Sequence, residues 1–188
     1  MNKKTIYVSL LAGLLWGLLE ASLGYLLHLI PIPGIAGLIM FPIGFYFMKL
    51  AFSASNEPLS IFYTASVAAS VKLIDLILPN ISVIKVINPS VAILLEASVV
   101  FVYLYYVLPS RNTVTIYEPM IISAMWRVMF VVYSGTVSSH TILSNGLFVA
   151  SKFLIFDSMI NGSLIFLFLK FDWEASSQTL KKFFKCHF

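Results

Sequence analysis

Four acids and three bases stand inside apolar stretches of this chain: Glu20, Asp75, Glu96 and Asp157, with Lys72, Arg127 and Lys152. An ionisable group at membrane depth costs at least a few kcal/mol and is a functional hypothesis by default. Two of the acids share their surroundings letter for letter. Leu18-Leu19-Glu20-Ala21-Ser22 recurs as Leu94-Leu95-Glu96-Ala97-Ser98. Such carboxylates can accept hydrogen bonds from a ligand, balance a cation or exchange a proton. Arg127 and Lys152 can hold an acidic or carbonyl group. The mixture of signs favours a zwitterionic or polar heterocyclic ligand over a simple ion.

Helical spacing groups these residues. Trp16, Glu20, Gly24 and His28 recur every fourth position and share one helix face. Lys72 and Asp75 stand at i,i+3 and can pair within their helix. Ser123, Arg127 and Ser134 share a face, as do Asp157 and Asn161. Lys152 and Asp157 are five apart, point in different directions in a regular helix, and should each seek a partner elsewhere. A structural account stands beside each functional one. Lys72 and Asp75 read more readily as an ion pair than as ligand contacts. Lys152 can snorkel toward the interface. Glu20, Glu96 and Arg127 could form a network that holds a bundle together. His28 could be an interfacial histidine. Trp16, Trp126, Trp173 and Tyr103-x-Tyr105-Tyr106 fit an aromatic belt, although Trp16 and Trp126 lie deeper than a belt requires.

The elements that position these groups follow from composition. Hydrophobic residues make up 60% of the 188-residue chain and charged residues 11%, and mean hydropathy is +0.95. A soluble domain with so much apolar surface would aggregate. A membrane span takes roughly 20 residues, so the fold class is an all-α integral membrane protein with six transmembrane helices in a single domain, 1–188. The helices are predicted near 5–29, 35–51, 59–78, 89–108, 118–136 and 147–170. Breaks fall at Pro31-Ile32-Pro33-Gly34, Asn56-Glu57-Pro58, Pro79-Asn80, Asn88-Pro89, Pro109-Ser110-Arg111-Asn112 and Ser144-Asn145-Gly146. The stretch 81–87 is too short to span and is expected at the surface. The run after Lys3 and Lys4 reads as a retained first helix, because it is too long for a signal peptide and contains Glu20.

One set of helix ends carries Lys3, Lys4, Lys49, Arg111, Lys170, Lys181, Lys182 and Lys185, and the other carries Lys85. The positive-inside rule then puts both termini in the cytoplasm, with a basic cytoplasmic tail at 171–188, in a multi-pass protein of the cytoplasmic (plasma) membrane. Counted at roughly 1.5 Å per residue, Glu20 lies about 21 Å from the inner end of helix one. Glu96 lies about 10 Å below the outer start of helix four. Lys72, Asp75 and Lys152 fall at similar outer depths, and Arg127 and Asp157 near the centre. The charged cluster implies a polar cavity reached from outside and sealed toward the cytoplasm, between helices one, three, four, five and six.

Glu20 and Glu96 are 76 positions apart, Pro42 and Pro119 77 apart, and Lys72 and Asp75 have counterparts in Lys152 and Asp157. Half-repeats at 1–80 and 81–170, a 3+3 inverted repeat, would explain this. Chance identity among abundant residues explains it as well.

Ser9, Gly13, Gly17 and Ala21 form a small-residue ladder on helix one, suited to close helix approach. It serves either internal packing against helix two or six or docking of a partner. The net charge of +4 sits in topology signals, so nucleic acid is not expected as a partner. Cys186 is the single cysteine, which excludes an intrachain disulfide or a zinc ribbon. No Walker A loop, HExxH, GxSxG or deaminase signature occurs. No catalytic set, cofactor or metal is expected.

Six helices in under 200 residues, both ends inside, an outer-half polar pocket and the ladder Ser9, Gly13, Gly17, Ala21 resemble the substrate-binding S component of energy-coupling factor (ECF) transporters. The resemblance covers nearly the whole chain. It implies uptake of a vitamin or precursor, with the ladder, similar to that family's Ala-x-x-x-Ala pattern, docking on a coupling transmembrane subunit that works with two ATPases. ATP hydrolysis would then belong to those partners. The start Met1-Asn2-Lys3-Lys4 lacks the terminal histidine of that family's cobalt and nickel members, which points away from metal. The substrate-binding set expected is Glu20, Glu96, Arg127, Lys152, Asp157, Lys72, Asp75, Trp16, His28 and Asn161. The rival readings are a self-sufficient proton-coupled transporter or channel with Glu20 and Glu96 as its titrating pair, an intramembrane enzyme, and a structural subunit.

Overall fold

The structure is a computed structural model describing residues 2–32, 34–77, 82–110, 114–137 and 146–170. The basic tail at 171–188, with Cys186, lies outside the described residues, as do Arg111 and the tip of the loop before helix six. Among the described residues there is no strand. Six helices are long and apolar enough to cross a membrane: α1 (Lys3–Leu27), α2 (Ile35–Ser55), α3 (Ser60–Ile77), α4 (Val83–Ser110), α5 (Tyr117–Val137) and α6 (Leu147–Lys170).

The helices wear their apolar residues on the outside. On α1 the leucines Leu10, Leu14 and Leu18 are exposed, while Ser9, Gly13, Trp16, Gly17 and Glu20 are buried. Small and polar groups face inward because close packing and hydrogen bonding, not exclusion from water, hold helices together in lipid. This reversal is the pattern of a chain whose exterior meets hydrocarbon.

α2 sits centrally and packs against α1, α3, α4 and α6. Around it run α1, α3, α4, α5 and α6, each against the next. Gly34, with φ 86°, turns the chain into α2, and Asn56, with φ 57°, ends it. Asparagine tolerates this left-handed conformation, which explains why α2 runs one turn past its predicted end. The halves do not pack alike. α1 lies along α3, whereas α4 and α6 share no comparable contact among the described residues.

Helix four corrects the sequence reading. Val83–Ile87 is not a separate surface segment but the first turns of α4, and Pro89 lies inside the helix. Proline removes one main-chain donor. The loss is local, and membrane helices tolerate it where side-chain hydroxyls rebuild the turn. The carbonyl left without its helical donor is that of Lys85, and in the next position the Ser90 hydroxyl donates to Val86 O at 3.0 Å.

Three helices contain a π turn: Glu20–Gly24 in α1, Tyr103–Val107 in α4 and Lys152–Phe156 in α6. Such turns frequently mark functional positions. Two of the three begin at an ionisable residue singled out above. α3 ends in a 3₁₀ segment, Leu73–Ile77, that carries Asp75.

Candidate small-molecule site

A cavity of about 530 Å³ lies between α1, α2, α4, α5 and α6. It reaches the surface at the end that holds the α1–α2 connection and the start of α4, where Ile32, Ile84 and Lys85 are exposed. This is the end that the lysine and arginine bias leads one to expect outside. Toward the opposite end the interior is closed by Phe41, Phe45, Met48, Val100 and Tyr103, all fully buried.

Glu20 and Glu96 both line the cavity, from α1 and α4, and are 5% and 4% exposed. They lie within electrostatic reach of one another, and Glu96 also feels Arg127. On α4, Lys85, Asn88, Ala92 and Glu96 follow one another at three- and four-residue steps along the lining face. Lys85 thus marks the rim and Glu96 the deep end. The wall opposite is aromatic. Trp126 and Phe130 come from α5 and Phe153 from α6. Trp126 and Phe153 meet edge to face, with centroids 6.0 Å apart, the geometry favoured by ring quadrupoles.

Arg127 is fully buried but does not line the cavity. Its guanidinium carbon sits 4.7 Å from the Trp126 ring and 5.3 Å from the Phe153 ring. Both rings line the cavity, and Arg127 packs on them without lining it. One of its nitrogens donates to the Ser123 carbonyl at 3.0 Å and to the Ser123 hydroxyl. Arg127, expected as a substrate contact, is thus placed beside the aromatic wall and not in the cavity lining, where it also attracts Asp157 and Glu96.

Lys152 pairs with Asp157, Nζ to Oδ1 at 3.1 Å. Sequence spacing assigns each a partner on another helix. The π turn Lys152–Phe156 overturns this, because its i→i+5 bonding widens the turn and brings residue 157 round beneath residue 152. Neither lines the cavity. Asp157 is 1% exposed, and its Oδ2 would lie 2.8 Å from a Cβ placed at Gly34. Only a glycine, which tolerates the positive φ there, lets the α1–α2 connection settle on this carboxylate.

Lys72 and Asp75 form an ion pair at 2.8 Å. Lys72 Nζ also donates to Glu20 O at 3.1 Å, at the head of the α1 π turn. The pair is thus a brace that ties α3 to the segment carrying Glu20, away from the cavity lining. Asn161 Nδ2 donates to Gly37 O at 3.1 Å and ties α6 to α2. Trp16 is fully buried, with its ring against Gly44 of α2. These four, expected as ligand contacts, tie or pack helices in the structure and do not line the cavity. His28 ends the α1 helical run, and its side chain lies outside what is described.

Three members of the ladder on α1 meet another helix of the same chain. Gly13 and Gly17 face Thr64, Val67, Ala68 and Val71 of α3, and the Ser9 hydroxyl donates to Ser60 O at 3.4 Å. The spacing rightly implies close helix approach, but the approaching helix is α3 of the same chain. The expected docking face is covered, and the covering helix is neither α2 nor α6.

Sequence reasoning missed the α2 contribution of Gly37 and Met40 and the aromatic wall of Trp126, Phe130 and Phe153. It also missed Lys85 and Asn88, because helix four was started at Pro89. The four-residue spacing of Trp126 and Phe130 and the stripe Lys85–Asn88–Ala92–Glu96 were the available signals. No protein-family profile, curated protein or solved structure matches this chain.

Proposed function

We propose that this chain is a membrane transport protein whose cavity binds a small molecule, as the substrate-binding member of an ECF-type uptake system in the cytoplasmic membrane. One observation carries the reading: two buried carboxylates from separate helices face a single cavity of about 530 Å³. Small-molecule sites typically occupy about 300–1,000 Å³, with mostly apolar walls and a few convergent polar groups. The cavity is open at one end and closed at the other by packed aromatic and aliphatic side chains. A one-sided site binds but does not by itself conduct. That favours a binding subunit working with a coupling partner and two ATPases over a channel.

The neighbouring placement of Glu20 and Glu96 supports a second reading, a proton-coupled carrier that uses them as its exchanging pair.

The test is mass spectrometry of small molecules retained by the protein purified in nanodiscs. Ala92 lines the cavity, so Ala92→Trp should fill it and release the retained molecule while the variant still inserts and stays folded. Retention unchanged in Ala92→Trp would remove the cavity as the site. Uptake of the retained molecule into liposomes driven by a proton gradient alone selects the carrier. Uptake that needs co-purifying ATPases selects the ECF-type system.

A further inference from the structure

We infer that the molecule this cavity takes is an aromatic or otherwise flat organic monocation. The inference rests on the cavity being a small-molecule site and specifies its ligand. Charge counting comes first. The set holds four buried acids, two buried bases and the half-buried Lys152. Lys72 is held by Asp75, and Lys152 by Asp157. Arg127 remains, shared electrostatically between Asp157 and Glu96. With every group ionised, one carboxylate is in excess, and both candidates for it, Glu20 and Glu96, face the cavity.

A buried carboxylate without a partner takes up either a proton or a positive guest, and a cation entering the cavity can displace the proton. The bases offer an anion less. Arg127, Lys72 and Lys152 do not line the cavity, Lys72 and Lys152 are held in ion pairs, and Lys85 stands at the exposed rim. Among the described residues the one lysine or arginine lining the cavity is therefore at its mouth. Shape comes second. Trp126, Phe130 and Phe153 form a wall that suits a flat ring and adds attraction for a cation. This reading differs from the zwitterionic or polar heterocyclic ligand expected from the sequence, because Arg127 does not line the cavity.

The test uses three probes of similar size at neutral pH: N-methylquinolinium as cation, quinoline as neutral ring and 1-naphthoate as anion. Equilibrium dialysis against protein-loaded nanodiscs, with empty nanodiscs subtracted, measures saturable binding. N-methylquinolinium should bind saturably. Glu20→Gln and Glu96→Gln should each weaken it about tenfold or more, the usual loss for a charged contact in a dry site, and Ala92→Trp should abolish it. If quinoline or 1-naphthoate binds as well as the cation and Ala92→Trp abolishes that binding, the cavity stands and the cation inference falls. If no probe shows binding sensitive to Ala92→Trp, the small-molecule site falls with it.

Discussion

Gly13→Ala separates an internal helix contact from a docking face. A Cβ at Gly13 would lie 2.6 Å from Thr64 O and 2.6 Å from Val67 Cβ. Comfortable contact is about 3.5–4.0 Å, so α1 and α3 must part by about 1 Å. The Thr64 carbonyl belongs to the backbone and cannot swing aside. Ser9 and Gly17, one turn away on either side, would lose their own contacts with α3 in the same movement. Overpacking of this kind costs about 1–3 kcal/mol, and the better helix propensity of alanine returns about 0.5–1 kcal/mol. The net loss is about 0–2.5 kcal/mol, centred near 1.25 kcal/mol, after setting one range against the other. At about 2–4 °C per kcal/mol for a chain of this size, the apparent melting temperature should fall by about 2.5–5 °C at the centre of that range. The assay is thermal unfolding of the purified protein in detergent, followed by intrinsic fluorescence. Gly135→Ala is the control, because a Cβ there meets nothing within 4 Å, and it should not lower the transition. A Gly13→Ala protein that melts with wild type but no longer assembles with a membrane partner would refute the internal packing and restore the ladder as a docking surface.

Two further outcomes are expected. Lys72→Met leaves the Asp75 carboxylate and the Glu20 carbonyl without their shared donor and should cost about 3–5 kcal/mol; the double variant Lys72→Met with Asp75→Leu should recover most of it, and thermal unfolding of the three proteins checks this. In a Cys186→Ser background, Lys85→Cys should react with an impermeant maleimide in intact cells, and Asn56→Cys only after permeabilisation; the opposite labelling would invert the orientation read from the basic residues.

Much of the architecture is legible in single residues and local runs. Span length is set by bilayer thickness, so six apolar stretches imply six helices without knowledge of their neighbours. The cost of a charge in hydrocarbon singles out Glu20, Glu96, Arg127 and their companions as buried, and all seven groups are indeed at least partly buried. Small residues at four-residue spacing announce a close helix contact.

What those groups touch was decided by the fold. Every helix here is apolar on nearly all sides, so periodicity does not distinguish the lipid face from the core or name the neighbouring helix. The ladder on α1 could have met any helix, and packing chose α3. Lys152 and Asp157 pair because a π turn changes the angular step by which sequence spacing is converted into direction. Arg127 lies near the aromatic wall in sequence as well as in space, yet only the tertiary structure shows that Trp126 and Phe153 line the cavity while Arg127 packs on them without lining it. Burial of charge is a property of one residue and its surrounding run, and sequence carries it. Pairing of charge depends on the relative rotation and spacing of helices far apart in the chain, and that is settled only when they pack.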